Sequence, residues 1–397
     1  MTTKRARALL AAGCGLALAA GCSSPRDHAE NYTETNAVSP AVQAAQAALQ
    51  SVKAKFAPDS HLAIFNLKAA EEGRSIIVEG DVESSAAKEE AIAAVARTGR
   101  NVVDRVTVLP AANLGDRIWG IAALSVINVR EKPGNTSEMG TQMLMGDVFK
   151  VWKKQTNWFL VQSGDRYLGW AEGGGFVTCA REEVNHWNSS PLLIVTAFEE
   201  RILEQPDPAA LPVADVVMGG RVRRAGETDG WWKVELADDR AGWLPKTAAT
   251  DYAEWRRSRR ATPENIERTA KSFLGRPYFW GCNSIRGMDC SGFTKMVFFL
   301  NGIELNRNAS EQCRQGVEVA LDADLKNLKK GDLLFFGRRA TRRGPERIGH
   351  AGIYLGDKLF IHSSESVHLS SLDPASPLRD EPRIRLLLHA RRLLPDS

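Results

Sequence analysis

The sequence predicts an α+β chain built from several domains in series. Three observations carry this: a helix, strand, strand, helix, strand order over residues 39–111, a strand-rich segment that repeats itself at an offset of 73 residues, and a C-terminal stretch in which helices precede three glycine-punctuated strands. The length agrees, since 397 residues, 43% hydrophobic and 25% charged, supply material for roughly two to four domains. Fifty-two basic against 48 acidic residues leave +4, too mild a balance to imply nucleic acid. The one strongly basic run, RRATRRGPER from Arg338 to Arg347, reads as a solvated loop.

Residues 1–21 read as an export signal. Lys4, Arg5 and Arg7 precede an apolar stretch of small residues from Ala8 to Gly21, too short to span a membrane as a permanent helix. LAAGC occurs twice, ending at Cys14 and at Cys22, and resembles the lipobox of bacterial lipoproteins. That resemblance makes Cys22 the lipidated residue, with the chain anchored on the periplasmic face of a membrane in the cell envelope. Ala19 departs from the pattern, and an ordinary secretory signal is the alternative. The polar residues 22–38 then form a tether.

Residues 39–111 form a small α/β sandwich. PAVQAAQAALQSVKAKF has a helical pattern, HLAIFNL, SIIVEGDVE and NVVDRVTVLP are strand-like, and SSAAKEEAIAAVARTG between the last two starts a helix with a cap at Ser85. The order resembles a BON domain, and no chemistry is legible in it.

The repeat comes next. A shift of 73 residues lays Trp158, Val161, Asp165, Gly169 and Trp170 on Trp231, Val234, Asp238, Gly242 and Trp243 without a gap. Each copy, over 116–180 and 188–250, alternates short strands with turn residues, the pattern of a small closed β-barrel, and both resemble bacterial SH3-like domains. The copies disagree at two positions of interest: Tyr167 falls on Arg240, and Glu138 on Leu211.

The last domain, 258–397, opens with a helix capped by Thr262 with Pro263 at its first position. In GMDCSGFTKMVFFLNG, the residues Phe293, Met296, Val297 and Leu300 mark a buried helical stripe, which puts Cys290 in the first turn. Unpaired backbone N–H groups and the helix dipole favour a thiolate there, so Cys290 is a candidate nucleophile; a small buried hydrophobe is the other reading. GDLLFFG, HAGIYLG and KLFIHSS follow as strands. His350 and His362 share one sheet face if the loop centred on Gly356 has odd length, which brings them into direct opposition. A Cys, a His that accepts its proton and a second His that orients the first make a nucleophilic set, against the plainer reading of two structural histidines. With no CxxC or HxxxH pair, zinc and other metal sites are not expected.

DCSGF, GDLLFFG, HAGIYLG and FIHSS, in that order, resemble the NlpC-type cysteine peptidases of bacterial cell walls, whose core is papain-like. With the two SH3-like units, the chain from about residue 116 onward resembles the γ-D-glutamyl-L-diamino acid endopeptidases. The resemblance implies a cofactor-free peptidase acting on peptidoglycan peptides, with Cys290 as nucleophile, His350 as base and His362 as the orienting member. It further implies substrate contacts from Asp289, whose plain role is a helix cap, from Tyr278 as an oxyanion donor, and from Ser291 and Trp280, with core packing the plain role of Trp280. Glu138 and Tyr167 would close the pocket on a free L-Ala amine. LNRNASEQ aligns with the segment LPRDAxxQ of that subfamily but carries Asn306 and Asn308 for Pro and Asp, so no contact is assigned to it. With Cys22 lipidated and Cys290 a thiol, Cys179, Cys282 and Cys313 remain in an oxidising compartment, and Cys282 with Cys313 is the expected pair. The competing functional reading is a peptidoglycan-binding lipoprotein with an inert hydrolase domain.

Overall fold

The computed structural model describes residues 39–342 and 344–395. The expected leader, Cys22 and the tether lie outside them. The first domain comprises α1 (Pro40–Phe56), β1 (Phe65–Glu72), β2 (Ser75–Val82), α2 (Ser85–Ala96) and β3 (Asn101–Val108). β1 and β2 form an antiparallel hairpin, and α2 carries the chain back to lay β3 parallel to β2. Both helices cover one sheet face: Val42, Ala45, Leu49 and Val52 of α1 pack with Ile76, Val78 and Val82. Two sequence expectations shift. The helix cap is Ser84, extended at φ −148° and accepting the Ala87 N–H, and not Ser85. The first strand starts at Phe65, because residues 59–63 close a turn on Asp59, whose carbonyl accepts from Leu62 and Ala63.

The first repeat holds β4 (Trp119–Ala122), β5 (Val126–Arg130), β6 (Met139–Leu144), β7 (Val148–Gln155), β8 (Trp158–Gln162), β9 (Leu168–Glu172) and β10 (Phe176–Cys179). After α3 (Arg181–Ser189), the second holds β11 (Leu192–Val195), β12 (Glu199–Leu203), β13 (Pro212–Val217), β14 (Arg221–Thr228), β15 (Trp231–Glu235), β16 (Ala241–Pro245) and β17 (Ala249–Asp251). Six strands superpose end to end under the 73-residue shift, and the two sheets share one strand order, β10-β4-β7-β8-β9-β5-β6 and β17-β11-β14-β15-β16-β12-β13. The expectation of closed barrels is corrected: the end strands are not paired with each other. In the first copy the edge strand β6 is used by the last domain, since Gln142 N–H donates to Asn283 Oδ1 at 2.8 Å and its carbonyl accepts from Asn283 Nδ2 at 3.2 Å.

The last domain follows α4 (Tyr252–Ser258). It contains α5 (Pro263–Ser272), the short hairpin of β18 (Asn283–Ser284) and β19 (Gly287–Met288), α6 (Cys290–Leu300), α7 (Ala309–Gln312), β20 (Val317–Glu318), β21 (Leu333–Arg338), β22 (Arg347–Gly356), β23 (Leu359–Ser364), β24 (Ser366–Ser371), α8 (Glu381–Leu386) and β25 (Leu387–Arg392). Thr262 caps α5 by accepting the Asn265 N–H, with Pro263 at its start. The sheet runs β20-β25-β21-β22-β23-β24, and α6 lies on it through Phe293, Met296, Val297 and Phe298, packed with Phe335, Ile353 and Ile361. Gly292 is required in the first turn of α6, because a Cβ there would stand 2.2 Å from the Cys282 carbonyl oxygen. Among the described residues no helix is long and apolar enough to cross a membrane.

Candidate active site

Cys290 occupies the first turn of α6, where the N-cap Asp289 accepts the Gly292 N–H at 2.7 Å. The thiol is buried and is reached by the backbone N–H of Ala351, the residue after His350 in β22, which sets nucleophile and base side by side. Burial, and then the Asp289 carboxylate, push the Cys290 thiol up to about 11, so the helix dipole does not produce a resting thiolate as the sequence suggested. His350 is held well below the ordinary imidazole value by burial and by Arg383. The resting pair is therefore thiol and neutral imidazole, and His350 is ready to accept a proton.

His350 Nε2 lies 2.7 Å from His362 Nδ1, with Nε2 of His362 3.1 Å from Ser370 Oγ. This leaves Nδ1 of His350 for the thiol. The two histidines are not directly opposed. A two-residue turn, Asp357 and Lys358, both at positive φ, pairs Gly356 with Leu359, and alone it would send the histidines to opposite faces. A bulge between Tyr354 and Gly356 inserts one residue and resets the pairing to Tyr354 with Phe360, which restores a common face. In that register His362 lies against Gly352, diagonal to His350; a Cβ on Gly352 would stand 3.2 Å from that of His362.

A cleft of about 440 Å³ opens above the thiol, lined by Tyr278, Trp280, Asp289, Cys290, Ser291 and Arg307 from the last domain and by Glu131, Glu138 and Tyr167 from the first repeat. Asp59 and His61 of the first domain line it too. Tyr278 is pushed up by burial and then by Cys290 and Asp289, so its hydroxyl remains a donor beside the thiol. Trp280 is 61% exposed, which corrects the expectation of core packing. Asp289 is already saturated: its oxygens accept from the Gly281 and Gly292 N–H groups, from Ser291 Oγ and from both terminal nitrogens of Arg307, at 2.5 and 3.1 Å. Ser291 Oγ is likewise engaged, accepting from Arg307 at 3.0 Å.

Besides Asp59 and His61, sequence reasoning missed Arg307 and Glu131 in the cleft. Arg307 is 1% exposed and also donates to Thr141 Oγ1 of the first repeat at 3.1 Å; its place in a segment aligned with LPRDAxxQ was the available signal. Glu131, and not Glu138, accepts the Tyr167 hydroxyl, at 2.8 Å. Burial and Glu131 push the Tyr167 phenol up and keep it a donor. Gly140 permits this pair, since a Cβ there would stand 2.5 Å from the Tyr167 hydroxyl.

Cys179, Cys282, Cys290 and Cys313 are all buried free thiols, which corrects the expected Cys282 and Cys313 pair. Cys282 faces Asp289 and Arg307, whereas Cys313 bonds to Arg391 on the outer part of the sheet, so the two thiols look into different surroundings. Among the described residues no cluster of His, Cys, Asp and Glu is arranged to hold a metal ion.

Residues 275–381 match the NlpC/P60 family, and residues 125–177 match the bacterial SH3 domain. Dipeptidyl-peptidase 6 of Lysinibacillus sphaericus is 27% identical over 274 residues, 65% of this chain and 93% of that one. The γ-D-glutamyl-L-lysine dipeptidyl-peptidase of Bacillus subtilis is 41% identical over 107 residues, which is 27% of this chain and only 34% of that relative. The crystal structure of an NlpC/P60 family protein from Bacillus cereus aligns with a TM-score of 0.59 at 25% identity, covering 70% of this chain and 100% of that one. The helix-borne thiol, the paired imidazoles and these matches lead to one assignment: the chain carries an NlpC/P60 peptidase domain with a bacterial SH3 domain ahead of it.

Proposed function

We propose that this protein hydrolyses the bond between γ-D-Glu and the diamino acid in short peptidoglycan peptides that begin with a free L-Ala. The observation that carries the reading is the thiol of Cys290 beside the His350 and His362 pair, at the floor of a cleft whose far wall is acidic and comes from another domain. His350 Nδ1 takes the thiol proton as sulfur attacks the γ-carbonyl carbon, and His362, itself held by Ser370, keeps the base in one orientation. The Cys290 N–H, which has no partner within its helix, and the protonated Tyr278 hydroxyl receive the developing oxyanion. The same proton then passes to the leaving amine, and water hydrolyses the thioester to release L-Ala-D-Glu.

The amine end falls to Glu131, Glu138 and Tyr167. Asp289 shapes that end indirectly, because its charge is already matched by Arg307. Ser291 and Trp280 border the peptide, Trp280 as an exposed aromatic wall. The alternative of an inert wall-binding protein is disfavoured by the neutral imidazole next to the thiol. We also propose that the protein is exported and lipid-anchored at Cys22, on the strength of its leader; metabolic labelling with palmitate, lost in Cys22→Ser, tests that. For the chemistry, incubation with L-Ala-γ-D-Glu-diaminopimelate should release the dipeptide, and Cys290→Ser should release none while retaining the native melting temperature. Undiminished turnover by Cys290→Ser would remove the mechanism.

A further inference from the structure

We propose that the N-terminal α/β domain is part of the substrate site, with Asp59 and His61 completing the wall that meets the peptide's N-terminus. This rests on the function proposed above. It assigns chemistry to a domain in which the sequence offered none, and the neighbour from Bacillus cereus is covered in full by 70% of this chain, which leaves part of the chain without a counterpart there.

The turn before β1 is mounted on the first repeat by its backbone. The His61 carbonyl accepts the Leu168 N–H at 2.8 Å, next to Tyr167, and the Leu62 carbonyl accepts from Gln162 Nε2 at 3.0 Å. Behind the turn, Ile64 and Leu109 pack with Trp152 and Leu168, and Lys153 pairs with Asp81. The mount therefore has an apolar core and an ion pair, and the turn is held in register with β9.

Its side chains point to the amine end. The His61 ring stacks on the Tyr167 ring, centroids 5.3 Å apart at 24°, with Nδ1 3.3 Å from Asp59 Oδ1 and Nε2 3.9 Å from Glu131 Oε1. His61 thus bridges two carboxylates and covers the face of the tyrosine whose hydroxyl bonds to Glu131. Among the described residues no lysine or arginine pairs with Asp59, Glu131 or Glu138, whereas Asp289 is matched by Arg307. An α-ammonium entering here meets carboxylates whose charge is uncompensated by any fixed cation, and Tyr167 is held rigid to receive it. His61 is the positioning residue, Asp59 the added acceptor. An N-acylated peptide brings bulk and no charge to the same wall.

The test uses the full chain with L-Ala-γ-D-Glu-diaminopimelate and its N-acetyl form. The unmodified protein should prefer the free amine. Asp59→Asn and His61→Ala should each raise KM for the free peptide by about tenfold with kcat little changed, and should narrow the preference over the acetylated form. His61→Phe, which retains a ring to stack on Tyr167, should recover most of the KM, and it supplies the readout should His61→Ala fold poorly. Lys68→Ala, exposed elsewhere on the same domain, should change neither value. A wild-type preference that all three site variants leave intact would overturn the domain's role alone, whereas a wild type that cleaves neither peptide would overturn the function itself and this inference with it.

Discussion

The two SH3-like domains share every strand and the sheet order, yet only the first faces the Cys290 cleft. The difference is written in a few side chains. Tyr167 is 3% exposed and bonds to Glu131; its counterpart Arg240 sends its guanidinium to Asp238, to the Val213 carbonyl and to the Ala123 carbonyl of the first repeat. Glu138 lines the cleft, and its counterpart Leu211 is 68% exposed. Gly140, which makes room for the tyrosine, is Val213 in the second copy, and Thr141, which holds Arg307, is Ala214. Glu131 matches Glu204, so the acid alone does not make a site. A single scaffold thus serves as a pocket wall in one copy and as a brace in the other, and the change needed a matched set of residues around the same strand pair.

The largest effect should come from Arg307→Ala. It severs the tie between Thr141 and the catalytic domain and leaves Asp289 buried with its main counter-charge gone, a loss of about 3–5 kcal/mol in a denaturant titration. A change under about 1 kcal/mol would mean that the first repeat is held by its backbone contacts alone. A second expectation separates the catalytic domain from both repeats, neither of which contains a histidine. Burial, then His368 and Arg383, hold His362 down to about 3, below the ordinary value of 6.5. A depressed value means that the unfolded chain binds the proton first, so stability is full above about pH 6.5 and falls by about 1.4 kcal/mol per pH unit as acid takes the solution toward pH 3. His350 is depressed as well, so His362→Phe should lessen the acid slope in pH-dependent melting without abolishing it, and an unchanged slope would assign the acid lability elsewhere.

Tyr167→Arg gives the first copy the residue of the second and places a guanidinium where the substrate ammonium belongs; kcat/KM on the free peptide should fall roughly 100-fold, about 2.7 kcal/mol. Tyr167→Phe, which removes only the bond to Glu131, should cost about tenfold. In the reverse direction, Arg240→Ala should leave kcat/KM unchanged and lower stability by about 1 kcal/mol, from the lost bond to Ala123. Loss of activity in Arg240→Ala comparable to that in Tyr167→Phe would erase the distinction between the copies.

Much of this was legible in the sequence because it depends on local pattern. The buried stripe of α6 and the cap and proline of α5 are set by residues within a few positions of one another, the 73-residue repeat shows on laying the chain against itself, and the structure keeps all three. What stayed hidden depends on contacts across domains. Glu131 and Glu138 stand at the two ends of the loop between β5 and β6, and nothing local says which of them meets Tyr167. The bulge before Gly356 fixes the register of His350 and His362, yet it follows from packing and not from turn composition. The same holds for Cys290, where the helix dipole was readable but the burial that outweighs it was not. Asp59 and His61 reach the cleft because Ile64 and Leu109 dock on Trp152, a residue of the next domain.

The central claim is that the first repeat closes the cleft on a free amine, and the direct measurement compares the same peptide free and still attached to muramic acid. The account predicts rapid release of L-Ala-D-Glu from the free L-Ala-γ-D-Glu-diaminopimelate and little or no cleavage of the muramic-acid-linked form, because the attached sugar removes the charge and collides with the wall of Glu131, Glu138 and Tyr167. Efficient cleavage of intact sacculi by the unmodified protein would contradict it and return the first repeat to the role of a wall-binding module.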